Sequence, residues 1–272
     1  MQLAYNTNKY KNHEGVFEIN GHRLLTGDAT NQIDVTLLCG GIKPALVICD
    51  PPYGISAPDS DWDIFKNMDD YLEFTSKWVT CILNVTGSGA LYIWSTQKQQ
   101  TVYHVWNLLK DFKDLQFQRE LVLGMNKVSS EQKTWPLDEQ RCLYYTIRGY
   151  DKFYRQETDL RKSVSFGKAE ERNRLAASNW CRHDITSVWF KDSEHVSKCN
   201  LAMQKPIKAL RRIISASSDP GDIVLDVFCH SGSTLIASHE TNRICYTMDI
   251  NNLYTIIAME RYLEVSSQKN LF

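Results

Sequence analysis

The chain has 272 residues, a formal net charge of −1, 43% hydrophobic and 23% charged residues, an ordinary globular composition with room for one large α/β domain plus a small inserted or appended unit. No apolar run approaches a membrane span, and residues 1–15 are polar with no signal-peptide core. The eight cysteines are scattered, several inside apolar runs (Cys49, Cys81, Cys245), which argues for reduced, buried thiols in a cytosolic protein and against a disulfide framework.

Val16–Ile19 and His22–Leu25 flank Asn20-Gly21, a strong hairpin turn signal, so a small hairpin is predicted. Its second strand runs into Thr26-Gly27-Asp28-Ala29. Asp28 therefore sits just after a strand, placed either to meet a ligand or to cap the next helix. Ile33–Cys39 predicts a short helix ended by Gly40-Gly41. Ala45–Cys49 is an apolar run that fits a buried parallel strand. Pro51 and Pro52 stop it, because neither can donate a ladder hydrogen bond. This leaves Asp50-Pro51-Pro52-Tyr53 at the strand's carboxyl end, where ligands bind in open α/β sheets. Asp50 and the Pro51 carbonyl can hold the two hydrogens of an exocyclic amine, and Tyr53 can stack on a planar base. Taken alone, the same four residues also fit a strand-ending turn with a packed tyrosine.

Ile55–Asp63 is either a loop that closes over a substrate or an ordinary connection. Asn67 caps a predicted helix to Asn84, with Tyr71, Phe74, Trp78 and Ile82 at core spacing. Gly89–Trp94 is a strand, Gln100–Asp111 a helix and Phe117–Leu123 a strand. The alternation predicts a parallel, doubly wound half.

From about 126 to 198 the rhythm breaks. Arg148 to Arg182 holds nine Lys/Arg against five Asp/Glu, interleaved with aromatics such as Tyr150, Phe153, Tyr154 and Trp180. Cations with rings suit contacts to phosphates and bases, although many such rings form a module's own core and charge runs are often solvated faces. Cys181, His183, His195 and Cys199 resemble a zinc site only faintly, since structural zinc favours paired cysteines. They are expected to be buried thiols and surface histidines, with no metal.

The α/β pattern resumes at Gln204-Lys205-Pro206, with a helix from Pro206 to Ser217. Asp222–Phe228 is a buried strand. Ser231-Gly232-Ser233-Thr234 is a tight loop of small residues opening a helix from Leu235 to Glu240. Ile244–Met248 is a strand ending at Asp249, and Asn251 caps a last helix to about Glu264. A strand, tight loop and helix start present backbone N–H groups and a positive helix end. An acid at the next strand's tip can accept from both ribose hydroxyls. The Gly-x-Gly-x-x-Gly pattern is absent, which favours an adenosine cofactor other than nicotinamide. There is no hydrolase elbow and no phosphate loop.

With these motifs in place, the chain resembles the S-adenosylmethionine-dependent amino-methyltransferases of DNA, which act on adenine N6 or cytosine N4. Asp50-Pro51-Pro52-Tyr53 looks like the catalytic motif. Gln204-Lys205-Pro206 looks like the segment before the cofactor loop. Asp226-Val227-Phe228-Cys229-His230-Ser231-Gly232 looks like that loop, normally Asp-x-Phe-x-Gly-x-Gly. Asp249 looks like the ribose acid, and Gly27-Asp28 like the acid near the cofactor's adenine. Catalytic motif first and cofactor loop last is the order of the family's beta group. The resemblance implies a Rossmann-like α/β fold with an inserted target-recognition region. Residues 1–125 would be the catalytic half, 126–198 the recognition region and 199–272 the cofactor half.

It further implies catalysis by Asp50, Pro51, Pro52 and Tyr53. S-adenosylmethionine would be held by Asp28, Ala29, Lys205, Asp226, Phe228, His230, Ser231, Gly232, Ser233, Thr234 and Asp249. Asp50 before Pro-Pro-Tyr is more like the adenine members, with cytosine N4 as the alternative. A non-catalytic nucleic-acid-binding protein that keeps the fold is an alternative of another class. The implied partner is double-stranded DNA, with single-stranded DNA or RNA as alternatives and a homodimer as the assembly, in a bacterial or viral host cytoplasm. One departure stands out: His230 occupies the loop's first glycine position. It is compatible with binding if its backbone keeps an ordinary conformation and its ring points outward.

Overall fold

The computed structural model describes residues 15–54, 63, 65–96, 98–124, 139–151, 188–190 and 204–269. Among them one nine-stranded sheet has the order β1-β2-β9-β8-β3-β4-β6-β5-β7. The strands are β1 (Phe17–Ile19), β2 (His22–Thr26), β3 (Leu46–Cys49), β4 (Gly89–Ser95), β5 (Leu115–Gly124), β6 (Glu139–Ile147), β7 (Val188–Phe190), β8 (Ile223–Asp226) and β9 (Ile244–Asp249). The helices are α1 (Gln32–Cys39), α2 (Met68–Val85), α3 (Thr101–Leu109), α4 (Ile207–Ser217), α5 (Ser233–Glu240) and α6 (Asn252–Lys269).

β2, β9, β8, β3 and β4 run parallel, and alternation along β3 shows why both faces are covered. Val47 and Cys49 pack with Val35 of α1, Trp78 of α2 and Val105 of α3. Leu46 and Ile48 pack with Leu210 of α4 and Ile236 of α5. A strand buried on both sides carries an unbroken apolar run, and Leu46–Cys49 is buried throughout.

Local signals act where expected. Asn20 and Gly21 both take positive φ, 49° and 82°, the backbone of a tight hairpin turn between β1 and β2. The Asn67 side chain accepts from the Asp70 N–H and starts α2. Gly40 ends α1 in the left-handed region. The cap of α1 is Asn31, which accepts from the Ile33 N–H; Asp28 does not cap it.

Two differences from the sequence reading concern the middle of the chain. β5 does not lie beside β4. β6 sits between them, antiparallel to both. β6 also falls inside 126–198, the stretch with no visible period. Leu143, Tyr145 and Ile147 of β6 join the α1–α3 face, and Cys142 joins the other. Burial on both faces removes the alternation that would have marked the strand. The Cys181, His183, His195 and Cys199 set lies outside the described residues. Cys39, Cys49, Cys81, Cys142, Cys229 and Cys245 are free and buried. Among the described residues, no helix is long and apolar enough to cross a membrane.

Candidate active site

The position of the site follows from connectivity. From β8 the chain passes through α5 to β9 on one side; from β3 it passes through α2 to β4 on the other. β8 and β3 are neighbours, so the crevice at their carboxyl ends is the topological switch point of the sheet. A cavity of about 460 Å³ lies there, lined from both tips. This is within the usual range of small-molecule sites.

At the β3 tip, Asp50, Pro51, Pro52 and Tyr53 all line the cavity. Three polar groups close a triangle. The Tyr53 hydroxyl donates to Asp50 Oδ1 at 2.8 Å. Lys205 Nζ donates to Asp50 Oδ2 at 2.5 Å and to the Tyr53 oxygen at 2.7 Å. Lys205 is 7% exposed, and its ammonium lies 5.6 Å from the Trp94 ring centroid. Burial, and then the Asp50 charge, push the Tyr53 phenol well up from its ordinary value, so it stays a donor. Gly54 turns at φ 66°, where a Cβ would sit 2.6 Å from the Tyr71 ring. Its N–H donates to the buried carboxylate of Asp63 at 2.6 Å. The loop's far end is thereby tied to its start; residues 55–62 lie outside the described residues.

At the β8 tip the construction is of backbone. Asp226 is buried and accepts from the Phe228 N–H at 2.9 Å. Burial raises its carboxyl to about 7, opposed by hydrogen bonds from Thr234 and Phe228. Arg261, also buried, donates to the Ser231 carbonyl. The Ser231 and Ser233 hydroxyls are 3.2 Å apart. Gly232 has φ 74° and presses against Ala258. Asp226, Ser231, Gly232, Ser233 and Thr234 thus build the loop from behind and do not line the cavity. Phe228 and His230 do. Phe228 is held edge-on by Trp78 at 5.3 Å.

His230 departs from the expected tolerance. Its φ is 44°, in the left-handed region, so the backbone takes the very conformation a glycine would supply. Its ring is turned to the cavity wall, 4.9 Å from Tyr254. Its N–H donates to Asp249 Oδ2 at 2.8 Å, which holds the loop to the β9 tip. Burial keeps the imidazole below its ordinary value, partly offset by Asp50.

Asp249 takes the Asn251 N–H on Oδ1, and burial raises its carboxyl. The Gly27 N–H donates to the Asp249 carbonyl at 3.0 Å, which brings Asp28 to the same end. Asp28 Oδ1 accepts from the Thr30 N–H and hydroxyl. Ala29 lines the wall beside it. Sequence reasoning missed Phe65, Ile250 and Tyr254 as wall residues. Ile250 carried a signal in the sequence, an apolar residue directly after the acid, and in the structure it is 70% exposed.

The wall suits S-adenosylmethionine, the cofactor the sequence resemblance implies. Two acids gather at one end for hydroxyls and amines, Ile250, Phe228 and Tyr254 offer apolar surface, and an ammonium stands at the other end.

A family model described as DNA methylase, of the N6/N4 methyltransferase class, matches residues 45–260. The Type II methyltransferase M1.MboII of Moraxella bovis is 27% identical over 237 residues, 77% of this chain and 85% of that protein. M2.DpnII of Streptococcus pneumoniae is 26% identical over 248 residues, 83% of this chain and 84% of that protein. Among solved structures, the PvuII cytosine-N4-specific DNA methyltransferase superposes with a TM-score of 0.66 at 10% identity, covering 89% of this chain and 86% of that one. The M1.HpyAVI–SAM complex gives 0.62 at 16%, covering 88% and 97%. At such identities the superpositions establish the Rossmann-like fold, and the family match spans well over half of the sequence. The chain belongs to the N6/N4 DNA methylase family.

Proposed function

We propose that the protein transfers a methyl group from S-adenosylmethionine to the N6 amine of an adenine flipped out of duplex DNA. The carrying observation is that Asp50, Pro51 and Tyr53 open onto the same cavity as Asp28 and Asp249. An amine donor seat and an adenosine seat therefore share one enclosure.

S-adenosylmethionine supplies the electrophilic methyl. Asp249 and Asp28 would take its ribose and adenine, with Ile250, Phe228 and Tyr254 against its apolar faces. The base must leave the stack for its amine to be reached. Tyr53 would stack on it, and Asp50 and the Pro51 carbonyl would accept the amine hydrogens. Holding both hydrogens pulls the nitrogen lone pair out of conjugation and aims it for direct transfer. Asp50 also offsets the positive charge that develops on that nitrogen. Positioning and electrostatics would supply most of the rate. Target recognition is assigned to residues 126–198 apart from β6. A role in restriction-modification, as the names of the Type II relatives suggest, fits this reading.

The test is methyl transfer to mixed-sequence duplex DNA, followed by digestion and mass spectrometry of the nucleosides, with Asp50→Ala as control. N6-methyladenine that disappears in the control is expected. N4-methylcytosine would keep the mechanism and change the target. No methylation of DNA or RNA by folded protein would sink the enzymatic reading.

A further inference from the structure

We infer that Lys205 is a positioning residue that holds Asp50 and is drawn off it by the cofactor's carboxylate, so that cofactor binding readies Asp50 for the target amine. This rests on the cofactor site proposed above and goes beyond it.

The geometry is specific. Both Asp50 oxygens are engaged, Oδ1 by the Tyr53 hydroxyl and Oδ2 by the Lys205 ammonium. An ammonium N–H on a carboxylate oxygen is the same donor–acceptor arrangement that a target amine would make. Lys205 therefore sits in the amine's seat. Lys205 directly precedes Pro206, the cap of α4, and lies 155 residues from Asp50 in sequence. The pair thus ties the α4 side of the sheet to the β3 tip.

The cavity supplies the reason for release. Asp28, Asp50 and Asp249 line it, and among its described lining residues Lys205 is the only ammonium or guanidinium. The imidazole of His230, which feels both Asp50 and Lys205, is held towards its neutral form by burial. A ligand carboxylate entering among three acids has one cationic partner, and that partner is already bound to Asp50. A buried charge is costly to leave unpaired, so Lys205 is shared between the two anions or passed from one to the other. In either case Oδ2 gains acceptor capacity once the ligand is in place.

The test is calorimetric binding of two ligands that differ at one end. S-adenosylhomocysteine carries the carboxylate; 5′-methylthioadenosine keeps the adenosine thioether and lacks it. Asp50→Asn keeps the shape and removes the competing charge. It is expected to tighten S-adenosylhomocysteine about tenfold and to leave methylthioadenosine unchanged. Lys205→Met should weaken S-adenosylhomocysteine, and in its background Asp50→Asn should give no gain. Should Lys205→Met fail to fold, the two-ligand contrast in Asp50→Asn still decides the matter. A gain equal on both ligands, a gain that persists without Lys205, or no gain at all would overturn the inference while leaving the cofactor site standing. If the unmutated protein binds neither ligand, the cofactor site falls and this inference falls with it.

Discussion

The two strand tips that face the cavity are built in opposite ways. The β3 tip is made of side chains: two prolines stop the strand, and Asp50, Tyr53 and Lys205 satisfy one another. The β8 tip is made of backbone: an N–H on Asp226, an N–H on Asp249, a carbonyl on Arg261 and two residues at positive φ. The contrast teaches a division of labour. A tip of exchangeable side-chain partners suits chemistry on a substrate that comes and goes. A tip of fixed backbone suits holding one invariant cofactor. Substitutions at the first should alter rate, and at the second affinity and stability.

The largest expected effect is at Asp50. Asp50→Ala should lower methyl transfer by about a thousandfold, the scale of losing a preorganised transition-state acceptor, with cofactor affinity undiminished by calorimetry. Parallel loss of rate and binding would erase the distinction between the tips. Next is Gly232→Ala. A Cβ there would lie 2.6 Å from the Ala258 Cβ and 2.8 Å from its Cα, and φ 74° adds strain. Together these should cost about 2–5 kcal/mol, read as a lower midpoint in urea with weakened cofactor binding. A midpoint equal to that of the parent would mean that α6 yields freely and the backbone tip is not rigid.

Behind the β8 and β9 strands, pH offers a finer test. His22 is buried, accepts the Cys245 N–H on Nδ1 and is lowered from 6.5 to about 4, by burial and then by His239. As pH falls from 6.5 to 4, the unfolded chain gains a proton that the folded one refuses. His22 therefore contributes nothing above 6.5 and a loss of about 3 kcal/mol that accumulates down to 4. Asp226 works the other way. Raised to about 7, it takes a proton on acidification before the unfolded chain does, and so stabilises the fold as pH falls. The parent should thus show a shallow stability profile between pH 7 and 5. His22→Asn, which removes only the first trend, should gain on it steadily toward pH 5. Parallel thermal midpoints of the two proteins over that range would refute the assignment.

Much of this was legible in the sequence, for reasons that are local. Asn20-Gly21 and Pro51-Pro52 act through their own backbones and Asn67 through a side-chain cap three residues on, and the hairpin, the end of β3 and the start of α2 follow from them. What was not legible depends on distant partners. β6 lost its alternation because both faces are covered. Lys205 read as a cofactor ligand, and only the fold brings it onto Asp50. Ser231, Ser233 and Thr234 matched a motif. A motif does not say which of its members face the cavity and which brace the loop from behind.

His230 is the smallest and sharpest case, because at this position the sequence suggested a change of backbone and the fold refused it. The residue stands at φ 44°, where a Cβ costs about 1–2 kcal/mol relative to the right-handed region. The loop keeps that conformation because the His230 N–H must reach Asp249 and the Gly232 N–H must reach the Cys229 carbonyl. Replacing His230 with glycine removes the strain but also removes the ring packed on Tyr254 and loosens the unfolded chain. The balance should be a net stabilisation of no more than about 1 kcal/mol, read from the urea midpoint. The backbone hydrogen bond to Asp249 survives in the variant, so the β8 tip should keep its shape and its affinity for methylthioadenosine should stay within about twofold. A destabilised His230→Gly protein would show that the imidazole, and not the backbone, is what holds this loop. The division between a side-chain tip and a backbone tip would then have to be redrawn.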